Sequence, residues 1–128
     1  MSALEMKILG APGWIGHAGP DQNAAKAFYE KVLGWNVQDI PMQDGSSYSS
    51  IVVGDTPIGG YSPMPEQDGS WTIFVTVADV DVAVALTQEA GGTVLTPPMD
   101  MPGVGRMATL TDPQGARFAV ITYESMMA

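Results

Sequence analysis

Few side chains in this 128-residue chain are suited to acid–base or nucleophilic chemistry. His17 is the only imidazole, and there is no cysteine. His17 would be the one group whose ordinary pKa suits proton transfer near neutrality. A nucleophilic serine needs an ordered base and an orienting carboxylate. His17 has no evident partner of that kind, and no Gly-x-Ser-x-Gly elbow occurs, which argues against a hydrolase. Arg106, behind a Gly-Val-Gly loop, and Arg117 each present a planar fork that could take a ligand carboxylate or phosphate. Either could equally pair with a nearby Asp or Glu. Tyr48 could contribute a phenolic hydroxyl or simply pack. Trp14 and Trp71 stand at matching places in the two halves of the chain, either as aromatic walls for a flat ligand or as core filling.

Charge narrows the partners. Five Lys and Arg stand against 14 Asp and Glu, a formal net charge of −9. So few cations cannot neutralise many phosphates, so nucleic acid and anionic membrane surfaces are poor partners. The N-terminus lacks a basic stretch leading into an apolar run, and no segment approaches the roughly 18 apolar residues of a membrane span. With no cysteine to form disulfides, a cytoplasmic location is expected.

The elements that must position these side chains fall into two similar sets. A strand over 13–18 leads to Asp21, a candidate helix cap. Ala25, Phe28, Tyr29 and Val32 then mark one helical face, and Gly34 ends it. Strands follow at about 35–40, 48–53 and 56–61, the last two joined at Gly54-Asp55. After a linker-like stretch at about 62–70 the order repeats. A strand spans 71–77, and Asp79 caps a helix with Val82, Ala85, Leu86 and Ala90 on its face. Gly91-Gly92 end it. A strand spans 93–96, a loop follows over 97–105, and a hairpin joins 106–111 to 116–123. Trp14 and Trp71 lie 57 residues apart, Asp21 and Asp79 58 apart. The expectation is one α+β domain over 1–128 made of two βαβββ modules, about 11–62 and 71–123.

Asp21 with 24–35 (AAKAFYEKVLGW), 71–84 (WTIFVTVADVDVAV), 91–94 (GGTV), 102–106 (PGVGR) and 112–121 (DPQGARFAVI) resemble the vicinal oxygen chelate superfamily, the glyoxalase/bleomycin-resistance/extradiol-dioxygenase group. The resemblance spans about residues 11–123. It implies two βαβββ modules forming a curved mixed sheet around a cleft, with helices on the outer faces. In many members it also implies a divalent metal held by four side chains, two from the first strands and two from the last. Carried onto this chain, those positions read Trp14, Trp71, Ala119 and Gly59 or Gly60. None can donate to a metal, and a single His cannot build a two-His iron site. No cofactor is therefore expected.

Strand alternation gives His17 the opposite parity to Trp14, towards the helix side, and puts Arg117 on the face of Ala119 and Tyr123. Met42, Met99, Met101 and Met107 lie in or beside loops that the resemblance places at the cleft. The expected function is metal-independent binding of a small organic molecule in an apolar cleft. Trp14, Trp71, Tyr48, Arg106, Arg117 and Tyr123 are the candidate contacts. The alternatives are a metal-dependent lyase or dioxygenase of the same superfamily, and a drug-sequestering protein without catalysis. On family grounds a homodimer is expected.

Overall fold

The computed structural model describes residues 8–41, 45, 47–64, 66–101 and 104–124. The fold is α+β, and the chain runs twice through strand, helix, strand, strand, strand. Its elements are β1 (Pro12–Ala18), α1 (Gln22–Leu33), β2 (Asn36–Pro41), β3 (Ser47–Val53) and β4 (Thr56–Tyr61). Then come β5 (Ser70–Thr76), α2 (Val80–Glu89), β6 (Thr93–Met101), β7 (Gly105–Thr111) and β8 (Arg117–Tyr123). Two compact units result. One is Trp14–Trp71, and the other begins at Thr72 and takes in the segment that ends at Gly13. The first two residues of β5 thus belong with the first unit.

Within the first unit the strands lie in the order β2-β3-β4-β1, antiparallel except for the parallel β1–β4 pair. The helix between β1 and the hairpins is what allows that parallel pairing, because a parallel return needs a crossover. Asp21 sits in extended backbone and accepts from the Ala24 N–H at 3.1 Å, satisfying one of the orphan donors of the first turn. Gly34 closes α1 at φ 73°, its N–H donating to the Glu30 carbonyl, a conformation that a side chain would strain. Ile51 and Tyr61 are almost wholly buried, together with Ser49 and Ser50.

The second unit repeats the arrangement as β5-β8-β7-β6, with β5–β8 parallel. Its core is Val80, Ala108, Leu110 and Val120, flanked by Val77, Ala83, Val84, Val94 and Phe118. Fully burying Val80, Leu110 and Val120 contributes about 1.5–3 kcal/mol each. Asp79 caps α2 through the Val82 N–H at 3.1 Å. Asp112 shapes the β7–β8 turn by accepting from the N–H groups of Gln114 and Ala116.

Three expectations fail here for physical reasons. The strand at 93–96 runs on to Met101 through Pro97-Pro98. This is tolerated because β6 is the outermost strand of its unit and slips register after Val94 and again after Thr96. The apolar face assigned to α1 is split: no α1 residue is fully buried, and Phe28 and Val32 are exposed. On α2 the packed face is Val80, Ala83, Val84 and Thr87, while Val82 and Leu86 are exposed. That helix is apolar on several sides, so periodicity offered two faces and packing selected one.

Candidate functional site

Register fixes which side chains share a face. Gly16 pairs with Gly60, Ser50 with Gly60, and Ile40 with Tyr48. Trp14, Gly16, Ile40, Tyr48, Ser50 and Gly60 therefore stand on one face of the first unit's sheet, and α1 covers the other. Trp14 and Tyr48, both expected as ligand contacts, do meet there: the indole N–H donates to the Tyr48 hydroxyl at 3.4 Å. Gly60 makes this possible, because a Cβ at that position would overlap the Tyr48 hydroxyl and ring. Of the two glycines offered for the fourth family position, Gly60 is thus the one on the Trp14 face. Gly59 has the opposite parity and lies against Ile15. Burial raises the Tyr48 pKa above its ordinary value, and the hydrogen bond from Trp14 opposes that shift. The phenol therefore keeps its proton at neutral pH.

Trp71 does not mirror Trp14. In β5, Phe74 is in register with Ala119, so Thr72 and Phe74 carry the Ala119 face and Trp71 points the opposite way. The 58-residue offset between Asp21 and Asp79, not the 57 between the tryptophans, is the structural repeat. Trp71 instead packs with His17 (4.9 Å between ring centroids), Tyr29 (5.2 Å) and Trp35 (5.9 Å), and its indole N–H donates to the Tyr29 hydroxyl at 3.2 Å. His17 lies on the helix side, as its parity required, edge-on to Tyr29 and Tyr61. Burial lowers its pKa, consistent with a neutral ring packed among aromatics.

The remaining candidates disperse. Arg106 faces α2, where its guanidinium takes both carboxylate oxygens of Asp81 at 2.9 Å and one of Asp100 at 3.0 Å. These hydrogen bonds raise the Arg106 pKa and lower that of Asp81. Its fork is occupied by two local acids in a surface ion-pair network. Arg117 and Tyr123 share the Ala119 face but stand at opposite ends of β8. At about 3.3 Å per residue they are roughly 20 Å apart, too far to grip one small molecule together. Met99 and Met107 pair across β6–β7, and Met42 lies outside the described residues.

The positions that the resemblance implies thus become Trp14 and Gly60 in the first unit and Thr72 and Ala119 in the second. They offer no imidazole, thiolate or carboxylate, and among the described residues no three His, Cys, Asp or Glu gather as a metal would need. The donor set does not fit a divalent ion of the family's usual kind. Among the described residues no helix is long and apolar enough to cross a membrane.

A polar group that sequence reading missed lies under α1. The Lys26 ammonium donates to the Ser49 hydroxyl at 2.7 Å, and Ser49 donates to Asp39 at 2.9 Å. Asp39 and Ser49 are directly paired across the β2–β3 hairpin. Hairpin counting could have matched those two, but nothing local points to Lys26.

Comparison with known proteins gives this geometry a context. The family model described as Glyoxalase/Bleomycin resistance protein/Dioxygenase superfamily matches residues 12–120. A Mycobacterium tuberculosis protein named "Putative glyoxylase CFP32" is 40% identical over 99 residues, covering 76% of this chain and 38% of that protein. The Streptomyces peucetius anthracycline biosynthesis protein DnrV is 34% identical over 127 residues, covering 87% of this chain and 46% of that protein. The chain thus spans less than half the length of these curated relatives. Among solved structures, a Streptomyces coelicolor methylmalonyl-CoA epimerase in complex with 2-nitronate-propionyl-CoA aligns at TM-score 0.63 and 21% identity, over 94% of this chain and 99% of its own. The Mycobacterium tuberculosis methylmalonyl-CoA epimerase aligns at 0.56 and 14%, over 86% and 85%. At these identities the likeness is one of fold.

Proposed function

Because the chain belongs to the glyoxalase/bleomycin resistance protein/dioxygenase superfamily, we propose that it binds a small, flat organic molecule without a metal ion. The Trp14–Tyr48 face of the first unit is the binding surface. The carrying observation is the hydrogen bond between those two residues. Trp14 donates to the phenol oxygen, so the phenol's own proton is left to donate to an oxygen of the ligand. Tyr48 then does by hydrogen bonding what a metal would do by coordination: it fixes a ligand carbonyl. The indole supplies the stacking surface. Among the described residues the face holds a phenol and a serine hydroxyl but no carboxylate, imidazole or thiol, which favours binding over acid–base turnover.

The name of the anthracycline biosynthesis relative makes planar quinones a reasonable first probe. Quenching of tryptophan fluorescence by a water-soluble anthraquinone should saturate, and Tyr48→Phe should weaken binding about fivefold, the loss of one hydrogen bond. Unsaturable quenching, or equal affinity in Tyr48→Phe, would refute the assignment. Chelator treatment should leave the affinity unchanged; a divalent ion at full occupancy in purified protein would overturn the metal-free part. A homodimer is part of the same reading, since the curated relatives carry more than twice the matched length in one chain. Light scattering should then give about twice the 13.5 kDa chain mass.

A further inference from the structure

Each helix leaves an apolar row uncovered, and the two rows occupy the same place in the repeat. On α1 the row is Ala24, Phe28 and Val32; on α2 it is Val82 and Leu86, with Ala90 at the helix end. Residues four apart lie on one helical face, so each set is continuous. The rows are 58 residues apart, Ala24 matching Val82, Phe28 matching Leu86 and Val32 matching Ala90. Phe28 and Val32 are 57% and 58% exposed, and Val82 and Leu86 are 53% and 57% exposed. Single apolar side chains scattered over a surface need no account. A row that recurs at equivalent positions of both units does.

The α1 row continues into aromatic side chains. Phe28 stands edge-on to Tyr29, with 5.0 Å between centroids, and Tyr29 meets Trp71, itself 38% exposed. Aromatic side chains of this kind anchor protein interfaces. The charges that border the rows are opposite in sign. With 3.6 residues per turn, Lys31 flanks the α1 row, while Lys26 and Glu30 turn away from it. Glu89 flanks the α2 row in the same way, while Asp81 turns away to Arg106. Lys31 and Glu89 are again 58 residues apart, and both are exposed.

We infer that α1 of one copy packs on α2 of a second copy along these rows, and that this helix pair is the homodimer interface. The inference takes the homodimer from the proposed function and is independent of the ligand proposed there. Rows of residues four apart are the ridges that interdigitate in the commonest class of helix packing. A second copy is favoured over a foreign partner because the chain itself supplies both rows and both signs of bordering charge. Pairing α1 with α1 would set lysine beside lysine, and pairing α2 with α2 would set glutamate beside glutamate. Pairing unlike helices sets one against the other. A two-fold axis forms that contact twice. The curated relatives, with more than twice the matched length in one chain, have chain enough to cover such a row from within.

The test is sedimentation velocity of the full chain over a concentration series. Phe28→Ser and Leu86→Ser should each raise the dimer dissociation constant about tenfold or more, the loss of one interface anchor. Leu95→Ser, which removes a strand residue of similar exposure, should leave it unchanged. Lys31→Glu should weaken the dimer, and adding Glu89→Lys should restore it. The chain has no cysteine, so cross-linking is clean. A tagged Phe28→Cys chain co-expressed with an untagged Leu86→Cys chain should be joined by a bismaleimide, whereas neither variant alone should be joined to itself. Circular dichroism checks folding, and should Phe28→Ser fail to fold, Leu86→Ser and the charge exchange carry the test. A dissociation constant unchanged by the serine variants, or a cross-link within either cysteine variant alone, would overturn this interface and leave the homodimer standing. A monomeric wild-type chain would overturn both, while the anthraquinone titration would still decide the ligand face.

Discussion

Replacing Gly60 with Ala tests the geometry on which the ligand face depends. A methyl at that position would overlap the Tyr48 hydroxyl and approach its Cε2 to 2.6 Å. The obstacle is a side chain, so the clash should be relieved by removing that side chain. In a strand Ala is otherwise no worse than Gly, and the whole cost should come from overpacking, about 1–3 kcal/mol. With Tyr48→Ala already present, Gly60→Ala should cost less than about 0.5 kcal/mol, which leaves a coupling energy of about 1–2 kcal/mol. Gly59 is the internal control. A Cβ there would run into the Ile15 main-chain carbonyl as well as its Cγ1. Truncating Ile15 cannot move a carbonyl, so Ile15→Ala should not rescue Gly59→Ala. Urea unfolding of both double-mutant cycles, followed by tryptophan fluorescence, measures this. Gly60→Ala and Tyr48→Ala adding to within about 0.3–0.5 kcal/mol would refute the argument, because independent sites add to that precision.

Other expectations follow from single contacts. His17 has a folded-state pKa below its ordinary 6.5, so the folded protein binds fewer protons than the unfolded chain as pH falls. Thermal stability should be full above about pH 6.5 and decline below it, and His17→Phe should flatten that limb; an unchanged pH profile in the variant would reject the assignment. Asp79→Ala removes the α2 cap and should cost about 0.5–2 kcal/mol in urea unfolding, with Asp79→Ser recovering most of it. Arg106→Ala should return the Asp81 pKa towards 3.8, as followed by carboxyl NMR. The stability that Asp81 contributes is present above its unfolded pKa and lost as pH falls through the folded one, so the variant should lose that acid limb while changing little at neutral pH.

Local chemistry made much of the fold legible. Asp21 and Asp79 are caps, and Gly34 and Gly91 end their helices in the left-handed region, because these jobs need a particular residue within a few positions. The parity argument for His17 held for the same reason: alternation along one strand is a local property. Pairing the two tryptophans failed because a one-residue offset in a repeat reverses every side chain in a strand. Residue identity favoured 57, whereas the capping aspartates favoured 58, and the register of Phe74 with Ala119 decided for the caps. The sequence leaves Arg106 open between a ligand contact and a local ion pair, and which acids it meets depends on where α2 and β6 come to lie.

By itself the sequence determined that the chain runs twice through a βαβββ order and that it carries one His and no Cys. Composition, caps and periodicity act over a few residues and need no knowledge of the rest of the chain. Only the tertiary structure decided that Tyr48 rests against Trp14 over Gly60, that Trp71 turns to the helix side, and that Lys26 closes onto Ser49 and Asp39. Each of these joins residues far apart in sequence, and the join is set by strand register and by the face on which α1 lies, quantities that no local pattern encodes.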